Sequence, residues 1–109
     1  MSSVPNVVVT TISAAGAVTP TRFNVIGGSG ALALTLAAPT IDGQIVTFTD
    51  QSAHAHTIVV TAVGSPPTAG LNGGTQTTLT FNGTKGSSVD LFSSGGSWLT
   101  TSFSGVAIS

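Results

Sequence analysis

The sequence predicts an all-β domain, a sandwich or barrel of short antiparallel strands. Three observations lead there. Charged helix formers are nearly missing while Thr, Val, Gly and Ser dominate. Apolar residues alternate with small or polar ones at a period of two. Gly, Pro and Asn punctuate the chain at short intervals.

The strands follow in order. Val7–Ile12 belongs to a segment, residues 1–20, that differs from the rest. That segment is an extended arm or a first strand, with residues 21–109 as a single β domain. Arg22–Ile26 follows, then Ala31–Ala37, where Leu32, Leu34 and Leu36 share one face. Gln44–Thr49 places Val46 and Phe48 together, Thr57–Ala62 pairs Ile58 with Val60, and Thr77–Phe81 pairs Leu79 with Phe81. Ser88–Ser93, Trp98–Phe103 and Val106–Ile108 complete the set. Between them lie turn signals: Gly27-Gly28-Ser29-Gly30, Ala38-Pro39-Thr40-Ile41-Asp42-Gly43, Gly64-Ser65-Pro66-Pro67, Asn72-Gly73-Gly74, Asn82-Gly83 and Gly95-Gly96. In each strand one face fills a core. The opposite face is flat and rich in Thr, Ala and Val.

Charge is the abnormal quantity. Of 109 residues only five are charged, Arg22, Asp42, Asp50, Lys85 and Asp90, giving a net charge of −1. An ordinary soluble chain of this length carries about 27. Disorder does not explain this, because disordered chains are poor in apolar residues and rich in charge, whereas this one is 40% hydrophobic. With so little repulsion between copies, association is favoured. Two basic residues are too few to neutralise a run of phosphates, which removes nucleic acid as a partner. A membrane span is not expected either, since the longest nearly apolar stretch, Ala31 to Pro39, falls far short of ~20 residues. The amino terminus has the pattern of no secretory signal, and cysteine is absent.

Chemistry has few candidates. His54 and His56 form an H-x-H pair in Asp50-Gln51-Ser52-Ala53-His54-Ala55-His56. If that segment is extended, both imidazoles project from one face, and a threefold assembly brings six of them near an axis, as a weak candidate Zn²⁺ or Ni²⁺ site. The alternative is a structural imidazole bonded to a loop carbonyl or to a carboxylate such as Asp50. A Ser/His/Asp triad can be assembled from the composition, but Gly27-Gly28-Ser29-Gly30 is not a nucleophile elbow. Asp42, Asp50 and Asp90 offer no obvious acid/base pair. Lys85 is followed by Gly86, which breaks the phosphate-loop pattern, and Asn82-Gly83-Thr84 reads as a turn before it reads as a glycosylation acceptor. Trp98 is a core or interface anchor, with a sugar-stacking platform as the rival role. No catalytic residue and no cofactor is expected. The expected interface residues are Val7, Val9 and Trp98.

A longer pattern runs from Leu34 to Trp98. It comprises Leu34-Thr35-Leu36-Ala37-Ala38-Pro39-Thr40, Asp42-Gly43-Gln44-Ile45-Val46-Thr47-Phe48, Ser52-Ala53-His54-Ala55-His56-Thr57-Ile58, Leu71-Asn72-Gly73-Gly74, Gly86-Ser87-Ser88-Val89-Asp90-Leu91-Phe92 and Gly95-Gly96-Ser97-Trp98. This pattern resembles small bacteriophage head decoration (cement) proteins, and similar strings occur in trimeric tail-fibre modules. The resemblance implies an intertwined homotrimer on the outer capsid surface of a virion, bound to the major capsid protein and bracing the shell, with no catalytic residues. Trimerisation would bury the flat faces, and the amino-terminal arm or a loop edge would meet the shell. The alternative is a trimeric tail-fibre or receptor- and carbohydrate-binding tip module. The chain is short and lacks a long repeat region, which favours decoration.

Overall fold

The computed structural model describes residues 9–19, 21–61, 71–72 and 76–109. Their strands are β1 (Val9–Ile12), β2 (Gly16–Ala17), β3 (Phe23–Ile26), β4 (Ala33–Ala37), β5 (Ile45–Asp50), β6 (Thr57–Thr61), β7 (Thr78–Phe81), β8 (Ser88–Ser94), β9 (Ser97–Ser104) and β10 (Val106–Ile108). They build two five-stranded sheets. Sheet A has the order β1-β3-β5-β8-β9, and sheet B has the order β10-β7-β6-β4-β2. Every expected strand has its counterpart; only the two-residue β2 was not foreseen, being too short for a period to show. The turn signals at 64–67 and 73–74, and Val7, lie outside the described residues.

The pairing differs from the expected antiparallel arrangement. Four pairs are parallel, β1 with β3, β3 with β5, β2 with β4, and β4 with β6. From β1 to β6 the chain alternates between the sheets, so strands that neighbour each other within a sheet are separated by one strand in the other sheet. Each loop is therefore an arch that carries the chain across the core instead of a hairpin that folds it back. Only from β7 onward do the new pairs run antiparallel, β6 with β7, β5 with β8, β8 with β9, and β7 with β10.

The core sits between the sheets and is supplied by the alternation. Strand β4 buries Leu34 and Leu36 and exposes Ala33, Thr35 and Ala37. Val46 and Phe48 of β5 face inward, as do Ile58 and Val60 of β6, Leu79 and Phe81 of β7, and Val89 and Leu91 of β8. Burying one such side chain is worth about 1.5–3 kcal/mol. Trp98, expected at an interface, is instead in this core at 1% exposure, and its Nε1 donates to the Ala37 carbonyl across the sandwich at 3.0 Å.

Two asparagines serve sheet A, one within it and one at its edge. Asn24 is buried, yet its amide donates to the Thr21 and Thr47 carbonyls and accepts from Thr21, so no polar atom of its side chain is left bare. At the β9 edge, Asn72 donates its backbone N–H to the Trp98 carbonyl, and its Oδ1 accepts from the Thr100 N–H at 2.9 Å. One residue thereby covers part of the open edge of β9.

Candidate functional surfaces and the histidine turn

The histidine segment is a bent loop, not an extended strand. Asp50 ends β5 with its side chain fully buried, and its Oδ1 accepts from the backbone N–H groups of Ser52 (3.0 Å) and Ala53 (3.1 Å). These bonds hold Ala53 at φ 58°, a left-handed conformation that costs an alanine about 1–2 kcal/mol. The bend sends His56 inward, where it is fully buried, while His54 stays partly exposed. The two rings meet edge-on, with centroids 6.1 Å apart and an interplanar angle of 82°.

Both nitrogens of His56 are engaged. Nδ1 accepts the Leu32 backbone N–H at 2.9 Å, so that nitrogen carries a lone pair and the proton of the neutral ring sits on Nε2. Nε2 donates to Ser52 Oγ at 2.7 Å and lies 3.4 Å from Asp50 Oδ1. The imidazole bonds neither to a loop carbonyl nor to the Asp50 carboxylate, the partners expected of a structural histidine here; its hydrogen bonds go to the Leu32 N–H and the Ser52 hydroxyl, with Asp50 Oδ1 3.4 Å away.

Asp50, Ser52 and His56 contain the atoms of a hydrolytic triad, but the wiring is wrong for one. A catalytic imidazole needs an acidic partner on the nitrogen remote from the serine, and a lone pair facing the serine. Here the carboxylate approaches the same nitrogen as the serine, and the remote nitrogen already accepts a proton donor. Ser52 cannot hand its proton to His56. The arrangement braces the loop after β5, and Asp50 Oδ2 is buried with no hydrogen-bond partner among the described residues.

The chain matches no protein-family model and no curated protein. What the chain offers a partner has therefore to be read from its two outer faces.

The outer face of sheet B is flat and uncharged. In register across it, Ala107, Thr80, Thr57 and Ala33 form one row, and Thr78, Val59, Thr35 and Ala17 form the next. Nothing in these rows is larger than valine. Val59, near the centre, is 38% exposed.

The outer face of sheet A differs. One row runs Val9, Phe23, Thr47, Asp90 and Ser102 across all five strands. Along it the Arg22 guanidinium stacks 4.3 Å from the Phe23 ring centroid, and its Nη1 donates to Thr47 Oγ1 at 3.0 Å. Thr47 Oγ1 then donates to Asp90 Oδ1 at 2.8 Å, and Ser102 Oγ donates to Asp90 Oδ2 at 2.8 Å. A second row, Ile45, Phe92 and Leu99, is wholly apolar.

Of the residues expected at an interface, Val9 is half exposed at the edge of this face, Trp98 is internal, and Val7 is outside the described residues. Burial of Trp98 also removes the sugar-stacking platform, because its indole face is packed against core side chains. The Arg22–Thr47–Asp90–Ser102 line was not legible in the sequence. Its members lie far apart in the chain, and only the period-two placement of Thr47 and Asp90 opposite buried neighbours hinted that they share an outer face.

Proposed function

We propose that this chain is a capsid decoration protein, which binds the outer surface of a phage shell and stabilises it by adding protein–protein contact area. The observation that carries this reading is the outer face of sheet B, a flat field of Ala, Thr and Val without a charge. Such a face loses little on leaving water, since its small side chains surrender little rotamer freedom and no charge is stripped of its solvent. Covering it with neighbouring copies, as in the homotrimer the resemblance implies, and with capsid protein accounts for a chain that has only five charged residues. A contact of ~1,600 Å², repeated over a lattice, reinforces a shell even where each copy binds modestly.

The test is cosedimentation of the purified chain with phage heads stripped of their own decoration protein. Saturable binding at a fixed ratio to the capsid subunit is expected. Val59→Lys, which sets an ammonium in the middle of the sheet B face without touching the core, is expected to abolish binding while leaving the unfolding midpoint unchanged. Heads that ignore the wild-type chain at micromolar concentration, or bind Val59→Lys equally well, overturn the reading.

A further inference from the structure

We propose that two copies of this chain pack face to face across the outer surface of sheet A, about a twofold axis that runs along β5 above Thr47. The proposal does not depend on the capsid reading, and it concerns the opposite side of the sandwich.

Electrostatic placement is the first argument. Three of the five charged residues lie elsewhere, with Asp42 and Lys85 in turns and Asp50 buried. The remaining two, Arg22 and Asp90, stand on the same outer face, on opposite sides of the Thr47 hydroxyl that bonds to both. Among the described residues they form no direct ion pair, and the one side-chain hydrogen bond of Arg22 goes to Thr47. A fork of five N–H donors therefore has donors to spare. Rotation by 180° about an axis parallel to β5 exchanges the β3 side of the face with the β8 side. The Arg22 of each copy then stands over the Asp90 of the other, and the contact is self-complementary, as a twofold interface must be. A twofold axis perpendicular to the strands would set Arg22 over Arg22, and charge selects against it.

Apolar surface is the second argument. Beside this polar line lies the Ile45, Phe92 and Leu99 row, and at its end stand Val9 and Phe23. Ile45 is 50% exposed and Val9 54% exposed, which is a large apolar display for a sheet face that also carries a charge pair. Five strands ~4.8 Å apart and about six residues long make a face of roughly 24 by 20 Å in projection. Two such faces, corrugated by side chains, reach the ~1,000 Å² of total buried area that separates specific interfaces from incidental contacts.

Because the axis follows the strands, both copies turn the same loop ends in the same direction. A pair built this way presents two equivalent sets of loops to one surface. Combined with a threefold contact made elsewhere on the subunit, it would generate a pair of trimers. Alone it gives a dimer.

Charge reversal decides the matter. Sedimentation equilibrium of the wild-type chain is expected to show a dimer or a hexamer. Arg22→Asp alone and Asp90→Arg alone each oppose like charges at two symmetry-related places, and each is expected to raise the dissociation constant of the twofold contact at least tenfold, on the order of what unpaired like charges cost at an interface. The double variant restores opposite charges and is expected to return to within about threefold of wild type. Urea unfolding at concentrations far below the dissociation constant checks that the single variants still fold. Ile45→Glu, at an exposed position on the apolar row, is expected to weaken the contact without disturbing the Arg22–Thr47–Asp90 line. A wild-type chain that is only monomeric or only trimeric overturns the proposal, as do single reversals that leave the association constant unchanged. A dimer that ignores phage heads would leave this contact standing and remove the capsid reading, so the two fail separately.

Discussion

The indole of Trp98 in sheet A donates to the carbonyl of Ala37 in sheet B, 61 residues earlier in the chain, at 3.0 Å. It is a polar tie through an apolar core. Trp98 belongs to the core cluster while Ala37 lies on the exposed phase of β4, so the bond fastens the buried indole to the backbone of the facing sheet.

Trp98→Phe keeps an aromatic ring but removes the donor, and is expected to cost about 1–3 kcal/mol. Trp98→Ala adds a cavity and is expected to cost about 3–5 kcal/mol. Urea unfolding monitored by circular dichroism reads both, as a lower midpoint at unchanged slope. A neutral Trp98→Phe would show that the bond does not hold the sheets.

His56→Ala leaves the Leu32 N–H without its partner inside the fold, at about 1–3 kcal/mol, while the Ser52 hydroxyl keeps Asp50 Oδ1 at 3.5 Å. Since both ring nitrogens are already occupied, saturating Zn²⁺ is expected to leave the thermal midpoint of the wild-type chain where it is. A zinc-dependent rise that disappears in His56→Ala would reveal a ligand and contradict the geometry.

Gly105 carries the chain from β9 in sheet A to β10 in sheet B at φ +70°, and a Cβ there would overlap the Ser87 hydroxyl. Gly105→Ala is expected to cost about 2 kcal/mol or more, combining backbone strain with the clash. Adding Ser87→Gly is expected to return the steric part and leave about 1–2 kcal/mol from the backbone. Additive losses in the double variant would count against a direct contact.

Ionic strength separates the two faces. Raising it from about 0.01 M to about 1 M shortens the screening length from ~30 Å to ~3 Å. Shell binding through the uncharged sheet B face is expected to change little, whereas the Arg22–Asp90 contact across sheet A weakens measurably. Cosedimentation with heads and sedimentation equilibrium of the free chain, run over the same salt series, give the two slopes. A steep loss of shell binding with salt would place charged groups in that contact.

Much of the site chemistry was only half legible. The Asp50 to His56 segment signalled itself as the densest group of functional side chains, yet an H-x-H spacing looks the same in a strand as in a loop. What turned His56 inward was the carboxylate of Asp50 capturing the N–H groups of Ser52 and Ala53, a local bond that forms only once Asp50 is buried at the end of β5. Asn72 read as a turn before glycine. Its use as a cover for the edge of β9 depends on a strand that lies 28 residues further on.

Strand positions and the direction each side chain faces were written in the sequence, because a period of two is a local property and burial obeys it: Leu34 and Leu36, Val46 and Phe48, Ile58 and Val60 all face inward as their alternation demands. Partner choice was not. Glycine, proline and asparagine mark a reversal of the chain equally well when it folds back beside itself and when it arches over to the facing sheet, so parallel pairing of β1 with β3, β3 with β5, and β4 with β6 had no local signature. The same holds for Arg22, Thr47, Asp90 and Ser102. Their neighbourhood exists only because three strand pairings bring four distant segments into one register, and register is settled by the packing of the whole core.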